Sequence, residues 1–205
     1  MEAPGPLREV RSWDETLPDR GADAEVLETM LLTVGEMGYS KATVREVVER
    51  ARITQDRFHR RFGTKEACFA RAYKEAADRL GSQILETCRD ATSWREGFRA
   101  GLTELLRFVA EQPLQAKALL LEVRAARGDA WSVHQDVVER LTSALETARQ
   151  EPGARPDSNP MTAGFIAGAI EESLSIEIAA GRAEEAPFLL DDLTRLAFLQ
   201  LFGEE

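Results

Sequence analysis

The stretch "VLETMLLTVGEMGYSKATVREVVERARITQDRFHRRFGTKE", Val26 to Glu66, holds three apolar patterns in succession, each with helical spacing and its own stop signal. Val26, Leu27, Met30, Leu31 and Val34 form one stripe, which predicts a helix from about Asp23 to Met37 ended by Gly38 as a C-cap. Thr43 with Glu46 three residues later makes a capping box, and Val44, Val47, Val48 and Ala51 recur behind it at i, i+3, i+4 and i+7. Arg52 and Ile53 then make a turn, Thr54 caps a third helix, and Phe58 and Phe62 put two rings on its inner face. Gly63 closes that helix and Thr64 caps a fourth.

With those rings inward, Asp56 and Arg60 point outward, flanked by Arg57 and His59, while Gln55 sits at the helix tip. A short helix, a tight bend and a second short helix with a polar outer face is the helix-turn-helix arrangement, whose second helix enters a DNA major groove. Glutamine can pair bidentately with adenine and arginine with guanine, so Gln55, Arg57 and Arg60 are chemically able to read base edges. Thr64 and Lys65 bring a hydroxyl, a cation and free backbone amides to the start of the fourth helix, a natural phosphate site. Asp56 and Arg60 also fit an ordinary i, i+4 surface pair worth ~0.2–0.5 kcal/mol.

Charge follows the same division. The 205-residue chain has a formal net charge of −10, yet Lys41 to Lys65 holds eight basic residues against three acidic ones. From Ala76 to Glu205 the balance is 13 basic to 22 acidic. Such a distribution draws phosphates to one region and repels them from the other.

The remainder also reads as helix, with no alternating β-branched run, so the fold class is all-α with about nine helices. A fourth helix reaching about Cys88 is followed by "SWREGFRAGLTELLRFVAEQ" from Ser93, then by "PLQAKALLLEVRAAR" with Pro113 in its first turn. Gly128 breaks that pattern, and a further helix spans about Ala130 to Gln150. "EPGARPDSNP", Glu151 to Pro160, is a loop, followed by two long helices, about Met161 to Ala180 and Glu184 to Phe202, separated by Gly181. The expected organisation is a flexible tail over 1–21, a helix-turn-helix domain over 22–66, and a helical effector-binding and dimerisation domain over 67–205. The longest uncharged run, "SNPMTAGFIAGAI", falls short of the ~18–20 apolar residues that span a bilayer, and no export signal opens the chain, so a cytoplasmic protein without membrane partners is expected. Cys68 and Cys88 read as small buried residues; on one helix they lie about 30 Å apart, beyond disulfide reach.

Val26 to Glu66 resembles the tetracycline-repressor (TetR) family of bacterial transcriptional regulators. Gly38-Tyr39, Thr43-Val44 and Phe62-Gly63-Thr64-Lys65-Glu66 keep the family's intervals without insertion. The resemblance implies that Thr43 and Lys65 occupy phosphate-contacting positions, and Arg45 and Gln55 base-touching ones. A fainter likeness at "EIAAGRAEEAPFLLDDLTRLAFLQLFG" implies closing helices where the family dimerises. Three departures stand out: Arg52 replaces the family's turn glycine, Asp56 the glycine inside the third helix, and His59 the phosphate-binding tyrosine. Neutral imidazole still donates one hydrogen bond, so His59 is retained as a backbone contact. The DNA-binding set expected is therefore Thr43, Arg45, Thr54, Gln55, Asp56, Arg57, His59, Arg60, Thr64 and Lys65.

Leu189, Leu193, Leu196 and Leu190, Ala197, Leu201 trace adjacent stripes, leaving one face in need of a partner, while Ala163, Gly164, Ala167 and Gly168 permit close helix approach. A homodimer through about 161–202 follows, and with it a palindromic double-stranded operator read on turns ~34–36 Å apart. Phe69, Tyr73, Trp94, Phe98, Phe108, Trp131, His134, Met161 and Phe165 form an aromatic-rich helical interior suited to core packing or to a small apolar or amphipathic effector, with His134 or Tyr73 as polar anchor. The resemblance implies a repressor released by that effector. G-x-S-x-G, H-E-x-x-H, Walker and C-x-x-C motifs are absent from the sequence, so neither catalytic residues, metal nor cofactor is expected. A helical protein-interaction module without operator recognition is the alternative, motivated by Arg52, Asp56 and the acidic remainder.

Overall fold

A computed structural model describes residues 22–155 and 159–203, all of their regular structure helical; the expected tail over 1–21 lies outside the described residues. In chain order the α-helices are α1 Ala22–Met37, α2 Val44–Arg50, α3 Gln55–Phe62, α4 Lys65–Thr87, α5 Trp94–Glu111, α6 Pro113–Lys117, α7 Val123–Ala126, α8 Gly128–Glu146, α9 Thr162–Ala179 and α10 Leu190–Phe202. A π-helical turn, Ala118–Glu122, joins α6 to α7 without a break, and 3-10 segments cover Thr147–Gln150 and Ala183–Leu189.

The chain forms two compact units. One gathers residues 22–79 with 112–136, the other 80–111 with the described part of 137–203, so α4 and α8 contribute to both. In the first unit, Val26, Leu27, Met30, Leu31 and Val34 are buried as their stripe required, together with Val47, Val48, Phe58 and Phe62. The capping box at Thr43 is complete, and Thr54 accepts from the Arg57 N–H. Thr64 caps α4 by accepting from the Ala67 N–H at 3.1 Å. Gly35 lets α1 come backbone to backbone against α6: a Cβ there would stand 2.0 Å from the Leu114 carbonyl oxygen. In the second unit, α5 packs on the Ala183–Leu189 segment and on α10, and α10 packs on α9. Trp94, Phe98, Phe198 and Phe202 form its aromatic centre, with Trp94 stacked on Phe98 at 5.1 Å.

Three expectations are corrected. The helix over Pro113 to Arg127 is not uniformly α, because the π turn widens it by one residue at Ala118–Glu122. It ends at Arg127, which takes φ +54°, and α8 starts at Gly128 itself and stops at Glu146. The last segment does not begin as an α-helix at Glu184: a 3-10 stretch containing Pro187, which lacks an N–H, runs to Leu189 before α10 starts. Both cysteines are buried and free, and burial pushes the Cys68 thiol up to about 12.

Candidate nucleic-acid interface

The candidate face is built on α3. Phe58 and Phe62 are buried, and Gln55, Asp56, Arg57, His59, Arg60 and Arg61 are all exposed, so the eight residues separate into an inner and an outer side. Asp23 in the first turn of α1 holds this helix in place. Its carboxylate accepts from Arg61 Nε at 2.8 Å and from Arg61 Nη2 at 2.5 Å, and pairs with Arg71 of α4 at 3.3 Å. The Arg61 hydrogen bonds keep the Asp23 carboxyl below the usual carboxylate range, against the opposing effect of its burial. Asp23 has no local signature; only its place opposite two arginines from other helices reveals it.

The outward groups differ in how far they are committed. Asp56 and Arg60 form the i, i+4 pair at 3.0 Å, and Arg45 pairs with Glu49 at 3.0 Å; both pairs are exposed and hence weak. Arg50 of α2 pairs with Glu36 of α1. His59 Nδ1 lies 2.8 Å from the Gly63 carbonyl oxygen, so Nδ1–H donates there and Nε2 faces away from that bond. The single N–H of a neutral ring is thereby used on the C-cap of α3. Thr43 Oγ1 donates to Glu46 Oε2 at 2.6 Å, and the Thr43 N–H donates to the same oxygen at 2.8 Å. Glu46 is held below the usual carboxylate range by that hydroxyl first and the N–H second.

Lys65 is half-buried, and Nζ donates to the Tyr39 carbonyl at 3.0 Å and the Ala42 carbonyl at 3.2 Å while covering the Tyr39 ring at 4.1 Å. It therefore staples the start of α4 to the corner between α1 and α2, leaving at most one N–H for a phosphate. Tyr39 is buried, and its hydroxyl is pushed up to about 12 by that burial and by Glu66. These long-range ties, together with the bond from the Tyr39 N–H to Glu122 at 2.8 Å, have no local sequence pattern to announce them.

Residues 33–72 match the family model described as bacterial regulatory proteins, tetR family. The fold is TetR-like. It is similar to that of the fatty acid degradation regulator FadR from Bacillus halodurans, at TM-score 0.76 and 16% identity over 85% of this chain and 96% of the other. FadR from Bacillus subtilis in complex with stearoyl-CoA matches at TM-score 0.73 and 15% identity, over 85% and 96%. The reduced form of NemR from E. coli matches at 0.68 and 16%, over 88% and 96%. Among curated proteins none matches this chain in sequence. At these identities the likeness establishes the TetR fold.

The nine expected effector residues of this TetR-like chain fall into separate groups. In the first unit, Phe69, Tyr73, His134 and Trp131 follow one another in ring contacts of 6.5, 6.1 and 4.8 Å, with Tyr73 Oη 2.9 Å from His134 Nδ1. Trp94, Phe98 and Phe108 are buried in the second. Met161 and Phe165 are not interior at all, being 63% and 67% exposed. The inner side of α9 is filled by Ala163, Ile166, Ala167, Ile170 and Leu174 at helical spacing, which turns the Met161–Phe165 side outward. Gly164 and Gly168 share that outward side, with nothing within 4 Å of a Cβ at either. A polar cleft of about 390 Å³ in the second unit is lined by Ser143, Glu146, Thr147, Arg149, Gln150 and Pro160, and none of the nine takes part in it. Among the described residues no helix is long and apolar enough to cross a membrane.

Proposed function

We propose that this TetR-like chain is a homodimeric DNA-binding regulator, a repressor whose hold on a palindromic operator is relieved by a small apolar or amphipathic effector. The observation that carries this reading is the outer side of α3: a polar, cation-bearing face fixed by two buried phenylalanines and by the Asp23 clamp. Gln55, Arg57 and Arg60 read base edges, with Asp56 either accepting from cytosine N4 or holding Arg60 in place. Arg45 joins them at the bases; Thr43, Thr54, Thr64 and Lys65 surround them as backbone contacts, and His59 adds one through an Nε2–H when the ring is charged. Residues 22–66 form the reading domain, and 67–205 the effector-binding and dimerising part. The outward apolar side of α9, with Phe188 at 83% and Leu199 at 41% exposure, supports pairing with a second copy. A long-chain acyl-CoA, the class bound by Bacillus subtilis FadR, is the first effector to try.

The test is a gel shift against the DNA flanking the gene, comparing wild type with the double variant Gln55→Ala, Arg60→Ala. Loss of about 1–3 kcal/mol per base contact weakens the specific complex by at least tenfold and relaxes its sequence preference. Unchanged affinity and preference in the double variant contradict the assignment of α3. Absence of binding across a random DNA library at low salt favours the protein-interaction module instead.

A further inference from the structure

Tyr39 occupies the corner between α1 and α2, and each of its polar groups is engaged. Its carbonyl accepts from Lys65 Nζ at 3.0 Å, its hydroxyl lies 3.4 Å from Glu66 Oε1, and its ring packs on Phe69 at 5.1 Å. Those three partners all belong to the start of α4. The fourth comes from 83 residues further along the chain: Glu122 Oε2 accepts the Tyr39 N–H at 2.8 Å.

Two backbone features make that long-range bond possible. Gly38 takes φ +85°, a backbone that other residues adopt only with strain, and Glu122 Oε2 comes within van der Waals contact of where a Cβ there would stand, at 3.4 Å. Glu122 is the last residue of the π turn, and the extra residue in that turn sets the direction in which its side chain leaves the helix. Without this acceptor the Tyr39 N–H is stranded beyond the end of α1 in a half-buried setting, where an unmade hydrogen bond is costly.

We infer that Glu122 is a positioning residue for DNA binding. Its carboxylate fixes the Gly38–Tyr39 corner and, through the Tyr39 carbonyl and Lys65, the spacing between the first turn of α2 and the first turn of α4. Those turns carry Thr43, Thr64 and Lys65, the groups assigned above to the DNA backbone, so the consequence for affinity rests on that reading. The fixing of the corner does not.

The experiment compares Glu122→Ala and Glu122→Gln in the full chain, measuring affinity for DNA flanking the gene and amide hydrogen exchange at Tyr39. Leu119→Ala, in the same turn but without a polar group, serves as a variant that destabilises the core. Glu122→Ala is expected to weaken binding about tenfold and to speed exchange of the Tyr39 amide, leaving the Ala51 amide, which donates to Val47 at the end of α2, unaffected. Glu122→Gln keeps an acceptor and stays near wild type in both. Leu119→Ala lowers Tm yet binds DNA normally where it is folded. Wild-type affinity together with wild-type Tyr39 protection in Glu122→Ala overturns the inference, as does equal damage from Gln and Ala. If the wild-type chain binds no DNA, the DNA-binding reading has failed and the Tyr39 exchange alone decides the role of the corner.

Discussion

Arg52 shows most plainly how a single residue can work against its own backbone. It sits in the turn between α2 and α3 at φ +52°, and the Ile53 N–H closes the turn by donating to the Val48 carbonyl at 3.0 Å. This is the Schellman arrangement, in which the left-handed position ordinarily falls to glycine. A side chain there costs ~1–2 kcal/mol, and glycine returns part of that through its freer unfolded chain. Arg52→Gly is accordingly expected to raise stability by ~0.5–1 kcal/mol, seen as a Tm increase of about 1–3 °C in a thermal melt. An unchanged or lower Tm would show that the guanidinium makes a stabilising contact of its own. The turn itself was legible in the sequence, since Thr54, Phe58 and Phe62 bracket it. Its handedness was not, because an arginine gives no local sign of a left-handed backbone.

At the level of elements, α1, α3 and α4 meet at Asp23. Its carboxyl is held below the ordinary carboxylate range chiefly by the Arg61 hydrogen bonds. A depressed value in the folded state means stabilisation that is complete above the unfolded value of about 4 and is lost as pH falls below it. Asp23→Asn removes charge-assisted bonds worth ~1.5–3 kcal/mol, so denaturant melts at pH 7 should show a loss of that order. The same variant should show a shallower decline in stability between about pH 4 and pH 2 than wild type. The helices themselves were foreshadowed by apolar spacing, capping threonines and terminal glycines, all of them local signals. The π turn and the 3-10 entry to α10 were hidden, because apolar spacing over "ALLLE" fits either helix type and the leucines after Pro187 continue the pattern of α10. The clamp at Asp23 and the bond from Glu122 to Tyr39 were hidden for another reason: each joins residues distant in sequence, and a single sequence carries no pairwise signal. The exposed side of α3 was legible because one turn of helix spacing decides which side is wet.

For the whole molecule the question is how many chains make a working unit. Phe165 and Ile176 lie exposed along α9 and Met161 at its N-cap, and Phe188 and Leu199 are exposed beyond it. Phe165→Glu is expected to convert a dimer to a monomer in sedimentation equilibrium and, because one reading head makes half the contacts, to weaken operator binding by more than tenfold. Retained dimerisation in that variant would move the interface away from α9. Gly164 and Gly168 add a consequence for the isolated protomer. Glycine inside a helix lowers its stability by roughly 0.5–1 kcal/mol relative to alanine, and among the described residues nothing lies within 4 Å of a Cβ at either position. With a second copy covering these positions, as proposed above, heat resistance becomes a matter of mass action: the melting point should climb as the protein is concentrated and sag on dilution.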